Sequence, residues 1–145
     1  MKKSREFVVR QADCVKSLDS APRTASAAGA SADLKGFQSA FVVFDVDART
    51  NGSQTLKLQE SADDSTWTDV AAADLVFESG SNGVDANGQL VVDGAADDDQ
   101  AVVIHYAGSA RYIRAHASDT GGAAGVDSGA IIFRGDKARQ GKNNS

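Results

Sequence analysis

The chain has one cysteine, one proline and one tryptophan among its 145 residues, and aromatic residues make up only 6% of it. With Cys14 as the single thiol there can be no intrachain disulfide, which excludes a disulfide-stapled secreted module and leads us to expect folding in a reducing cytosol. Much of the 41% hydrophobic content is alanine, so the core has to be thin and built from Val, Ile, Leu and Phe. No stretch approaches the roughly 20 apolar residues of a membrane-spanning helix. The basic start MKKSREFVVRQ lacks the apolar run of a signal peptide, so the expectation is a soluble product made in the cytoplasm and not exported. Zinc spacing, P-loop, dinucleotide fingerprint and nucleophile elbow are all missing. The expected protein is therefore not an enzyme and carries no cofactor and no metal.

The formal net charge is −5, and without a basic body a nucleic-acid partner is not expected. The distribution is uneven. Residues 1–16 carry Lys2, Lys3, Arg5, Arg10 and Lys16 against Glu6 and Asp13, a balance of +3, and residues 131–145 also carry +3, leaving −11 for the residues between. An acidic body with two basic ends suits contact between copies, docking on another acidic surface, or simply solubility.

The length fits one domain. FVVRQADCVK, residues 7–16, reads as a short strand. The Ala/Ser-rich SLDSAPRTASAAGASADLKG, residues 17–36, has neither helical nor strand periodicity and reads as extended. From Phe37 the pattern changes. Phe37, Phe41, Val42, Val43, Phe44 and Val46 form a β-branched and aromatic run, as in a central strand covered on both faces. After the NGS turn, TLKLQE alternates as a half-buried strand. Further short strands follow at Thr66–Val70, Leu75–Phe77, Gln89–Val92, Ala101–Tyr106, Arg111–Ala117 and Gly129–Arg134, separated by loop chemistry such as SGSNG, GAADDD and SDTGGAAG. These features predict an all-β fold: an antiparallel β-sandwich or jelly roll of about eight short strands. The expected division is an extended N-terminal arm over 1–36, the sandwich over 37–134 and a basic C-terminal tail over 135–145.

LQESADDSTWTDV, residues 58–70, invites a calcium reading through Asp63, Asp64 and Asp69, but the alternating acids and central glycine of an EF-hand loop are absent. A hairpin turn with Asp and Ser side chains bonding nearby amides fits better, with Trp67 expected to close the core. Ser61, Asp63, Thr66 and Trp67 also resemble the Asp-box turn of sialidase-like propellers, itself a structural hairpin, but one residue short and without its glycine. Asp97, Asp98 and Asp99 read as a solvated loop. By alternation Tyr112, Arg114 and His116 share one strand face, and with Tyr106 and Arg111 nearby they could form an oligomer or recognition face, since Tyr and Arg are common at protein contacts; the other reading is an ordinary solvated face.

Asp33-Leu34-Lys35-Gly36-Phe37, TLKLQESADDSTWTDVAAADL and RYIRAHASDTGGAAGVDSGAIIFRG, in that order, resemble the small β-sandwich head proteins of tailed bacteriophages, over roughly residues 30–135. Members act as capsid decoration, cement or minor virion proteins. The resemblance implies a place on the capsid surface of the virion, the major capsid protein as partner, and a homo-oligomer, with trimers expected. It transfers no catalytic residue. In this setting Lys2, Lys3, Arg5, Arg10, Lys16 and Arg23 are the expected capsid contacts. A head-completion or tail-associated virion protein, or a carbohydrate- or receptor-binding module using Trp67 and the Tyr112 face, are the other readings.

Overall fold

The computed structural model describes residues 13–80, 82–94, 97–119 and 125–137, with the side chains of residues 136 and 137 left out. Two antiparallel sheets pack face to face as an all-β sandwich. The strands are β1 (Asp13–Arg23), β2 (Ala27–Ala28), β3 (Ala32–Asp33), β4 (Phe37–Arg49), β5 (Gln54–Ser61), β6 (Thr68–Asp69), β7 (Leu75–Val76), β8 (Leu90–Val92), β9 (Gln100–Tyr106), β10 (Tyr112–Asp119) and β11 (Val126–Lys137). That makes eleven among the described residues, not the expected eight. The back sheet runs β1-β11-β4-β9-β7; the front sheet runs β2-β10-β5-β6, with β3 also paired to β10 and β8 to β5.

The core follows from alternation. Val42, Phe44 and Val46 of β4, Val102 and Ile104 of β9, and Ala130 and Ile132 of β11 point inward from the back sheet. Leu56 and Leu58 of β5 and Ile113, Ala115 and Ala117 of β10 meet them from the front. Strands with period-two burial can hold one register only, because a one-residue slip would expose every inward side chain.

The largest departure from the sequence reading lies in residues 13–36, expected as part of an extended arm. Asp13–Arg23 pairs along β11, and Ala27–Ala28 and Ala32–Asp33 both pair with β10. The residues that look like a linker are small because the chain passes here between the two sheets. A Cβ on Gly29 would stand 2.4 Å from Ser17 Oγ and 2.8 Å from the Ala115 carbonyl. Ser17, itself buried, donates to the Ala30 carbonyl at 2.7 Å and accepts the Ala115 amide at 2.9 Å, tying β1 to the front sheet. Pro22 is tolerated because β1 is an edge strand. Residues 7–12 of the expected first strand lie outside the described residues, as do residues 138–145 of the expected tail; β11 itself continues to Lys137, past the expected boundary at 134.

The centre of the back sheet's outer surface is apolar. In the register, Cys14, Phe133, Phe41, His105 and Val76 stand in one row across all five strands, with Lys16, Ile131, Val43 and Val103 in the next and Gly129, Asp45 and Ala101 beyond. Phe41 and Phe133 stack with centroids 4.9 Å apart. β4 was expected to be covered on both faces; no described residue covers this one.

Candidate functional site: the outer face of the front sheet

β10 turns Tyr112, Arg114 and His116 outward, opposite Ser61, Gln59 and Lys57 of β5, while Ile113, Ala115 and Ala117 enter the core. β6 sets Asp69 beside Gln59. Trp67, two residues before Asp69, falls on the same face by alternation and is half-buried there. Its ring lies under the Arg114 guanidinium at 4.3 Å. This corrects the expectation of a core tryptophan: the cavity-filling position in this part of the chain belongs to Val70, which is buried.

A chain of contacts fixes the face. Arg114 Nε donates to Gln59 Oε1 at 2.9 Å, Gln59 Nε2 donates to Asp69 Oδ1 at 3.0 Å, and Lys57 Nζ donates to Asp69 Oδ2 at 2.8 Å. Burial works against the charge on Asp69, but the bonds from Lys57 and Gln59 prevail and hold its carboxyl below the ordinary range. His116 is held below its usual value, first by burial and then by Lys57 and Arg114, with Asp69 pulling the other way. It therefore presents a neutral ring at neutral pH, with Nδ1 3.3 Å from Ser118 Oγ.

At the end of the face Arg111 grips Asp33 through two bonds, Nε to Oδ1 at 3.0 Å and Nη2 to Oδ2 at 2.9 Å, while its guanidinium lies 5.0 Å from the Tyr112 ring centroid. These bonds from Arg111, helped by the Lys35 amide, lower the Asp33 carboxyl to about 2. A depressed carboxyl stabilises the fold above its unfolded pKa of about 3.9, and that contribution disappears as pH falls through about 2. The pair is exposed, so the effect is modest. The urea midpoint of the wild type should exceed that of Arg111→Ala at pH 5, and the gap should close at pH 2; a gap independent of pH would mean that Arg111 acts through packing alone.

The acidic hairpin below Trp67 is built from its own side chains. Asp63 Oδ1 accepts the Ser65 amide at 3.0 Å, the Thr66 amide at 2.9 Å and the Ser61 hydroxyl at 2.9 Å, which together hold its carboxyl well below the usual range. The second acidic loop is also tied down by bonds from backbone amides to its carboxylates. Asp97 Oδ2 accepts the Asp93 and Gly94 amides at 3.1 Å and Asp98 Oδ1 the Arg49 amide at 2.9 Å. Among the described residues, no group of three or more His, Cys, Asp or Glu is placed to hold a metal ion.

The other expected site residues are scattered. Tyr106 faces the core: its hydroxyl donates to Glu60 at 3.0 Å and accepts the Ala110 amide at 2.9 Å, and burial, with Glu60 adding to it, pushes the phenol up to about 12. The parity of β9 explains this, since Val102, Ile104 and Tyr106 share the inward side. Lys16 is exposed on the back sheet, 3.8 Å from Asp19. Arg23 is turned into the end of the sandwich, where it binds the Ser128 carbonyl and donates to Ser128 Oγ at 3.1 Å. Ser128 Oγ in turn donates to the fully buried Gln54 at 2.5 Å, so Arg23 is linked through Ser128 to the front sheet. Lys2, Lys3, Arg5 and Arg10 lie outside the described residues.

Lys57, Gln59 and Asp69 were not anticipated as members of the face. The alternation of TLKLQE already put Lys57 and Gln59 on its polar side, but which strand lay next to it was not readable. Compared with known proteins, the sequence matches no family model and no curated protein.

Proposed function

We propose that the chain is a structural virion protein, a capsid decoration or cement protein that docks on the major capsid protein at the outer surface of a tailed-phage head. The observation that supports this reading is the convergence of the three stretches carrying the resemblance. Asp33 pairs with Arg111, the Asp63 hairpin delivers Trp67, and the Tyr-Ile-Arg strand supplies Tyr112 and Arg114 to the same exposed face.

Such a face is suited to binding because its long side chains are already held. Arg114 is fixed by Trp67 and Gln59, and Arg111 by Asp33, so little rotamer freedom remains to be lost on docking. Trp, Tyr and Arg are also the residues that dominate binding energy at protein interfaces. Lys2, Lys3, Arg5 and Arg10 would add attraction to an acidic capsid surface, screened by salt beyond about 10 Å at 0.1 M. Copies bound across capsomer seams would stabilise the assembled state by mass action. The reading gives the protein no catalytic residue.

Quantitative mass spectrometry of purified virions tests this proposal. Hundreds of copies per particle are expected, with occupancy reduced by Trp67→Ala and by Arg114→Ala; a handful of copies would favour a head-completion or tail position, and none would overturn a virion role. A carbohydrate- or receptor-binding module is the second reading, favoured by the half-exposed Trp67 ring on the face that also carries Tyr112. A glycan-array signal abolished by Trp67→Ala would support it.

A further inference from the structure

We infer that the outer face of the back sheet is a self-association surface, covered by the same face of a second copy of this chain in a two-fold dimer. The inference is independent of the virion role.

Three neighbouring strands are apolar on both sides. β4 has Phe41 and Val43 outside against Val42 and Phe44 inside, β9 has Val103 outside between Val102 and Ile104, and β11 has Ile131 and Phe133 outside around Ile132. Continuous apolar runs of this kind belong to strands buried on both faces, whereas strands with a solvated face alternate apolar with polar residues. β5 and β10 of the same molecule do alternate, with Lys57, Gln59, Arg114 and His116 outside. The chain thus distinguishes a face built for water from one that is not, and Val76, Val103 and Ile131 remain 60%, 47% and 37% exposed.

The size and charge of the face point to a second copy. At about 4.8 Å between strands and about 3.4 Å per residue, the five strands and three rows span about 19 by 14 Å before side chains are added. The apolar residues of the first two rows fill the middle of that area and Lys16 and Asp45 stand at its edge, the pattern of an apolar centre and polar rim in a standard interface of about 800 Å² per partner. The rim is self-complementary. Lys16 stands on β1 in the row of Val43, and Asp45 stands on β4 one row further. A two-fold axis lying in the interface, crossing β4 between Phe41 and Val43 and running obliquely past Ile131, sets Lys16 of each copy over Asp45 of the other. Such an isologous contact satisfies both copies at once and closes the assembly at two. This differs from the trimer expected from the sequence.

Sedimentation equilibrium of the full chain tests the inference. The expected mass is twice 15.0 kDa. Val103→Glu with Ile131→Glu should weaken association at least about 100-fold by burying unpaired charge. Both side chains are exposed in the single chain, so the circular dichroism should be unchanged; should the charged pair disturb folding, Val103→Thr with Ile131→Thr keeps β-branching and should weaken association about tenfold. Lys16→Glu alone should weaken the dimer and Lys16→Glu with Asp45→Lys should restore it, while Arg114→Glu on the opposite sheet should leave it unchanged. A wild type monomeric at about 100 µM, a trimer mass, a dimer indifferent to Val103 and Ile131, or a charge swap without rescue would overturn the arrangement. So would a monomer whose urea midpoint falls when residues 2–12 are removed, which would assign the face to the chain's own first residues.

Discussion

Phe44→Ala is expected to cost about 3–5 kcal/mol of folding stability, the range for truncating a buried aromatic. Phe44 is fully buried in the middle of β4, where the register sets it between Ala130 of β11 and Val102 of β9. The core around it is made of Val, Ile, Leu and Ala, side chains too short and too tightly held in their strands to move into the space left by a phenyl ring. Domains of this kind are stable by about 5–15 kcal/mol, so at least about a fifth of the total depends on one side chain. With a urea slope of about 1–3 kcal/mol/M, the midpoint should fall by about 2 M. Phe41→Ala, three residues earlier on the same strand, is the comparison. Phe41 is half-exposed and rests on Phe133 at the outer surface, so its loss in the monomer should be less than half as large. Equal losses at the two positions would contradict the inward and outward assignment of β4.

That assignment was only half legible in the sequence. The run from Phe37 to Val46 announces a strand with apolar side chains on both faces, and the structure shows a strand with one face in the core and the other at the surface. Periodicity shows which residues share a face; it does not show what covers that face. TLKLQE and RYIRAHA were read more fully, because a clean alternation leaves one choice of inward side once a core exists. The Asp63 turn was legible for a different reason. It is closed by side chains within a few residues of one another, so its chemistry is local.

Residues 13–36 show the limit. Small side chains look the same whether they serve a solvated linker or a crowded crossing between sheets, and only the approach of Ser17 to Ala30 and Ala115 distinguishes them. The bond of Arg23 to Ser128 was not legible because the two lie 105 residues apart. Trp67 was drawn toward the core by its size. Its pairing with Arg114, on a strand that approaches it only in the folded chain, could not be read from either neighbourhood alone.

Gly125→Ala is expected to destabilise the protein by about 2–5 kcal/mol, for two reasons that can be separated. Gly125 has φ +72°, in the left-handed region, which costs a residue with a Cβ about 1–2 kcal/mol. It also sits where three segments meet. Its carbonyl accepts the Thr50 amide at 3.0 Å, its own amide donates to Asn51 Oδ1 at 3.3 Å, and the next residue, Val126, pairs with Arg23. A Cβ there would stand 1.9 Å from the Arg23 carbonyl oxygen and 2.6 Å from its carbon. Neither atom belongs to a flexible side chain, so the backbone of β1 or β11 has to shift, adding about 1–3 kcal/mol as in other overpacked sites. Gly36→Ala isolates the first cost. Gly36 has φ +87° but nothing within 4 Å of its would-be Cβ, so it should lose only the conformational part, about 1–2 kcal/mol. The excess of the Gly125 loss over the Gly36 loss in urea denaturation then measures how closely β1 must approach the start of β11. Because the Arg23 guanidinium binds Ser128 from the same strand end, displacing that carbonyl should also weaken the link through Ser128 to Gln54, and Arg23→Ala should cost less in the Gly125→Ala background than in the wild type.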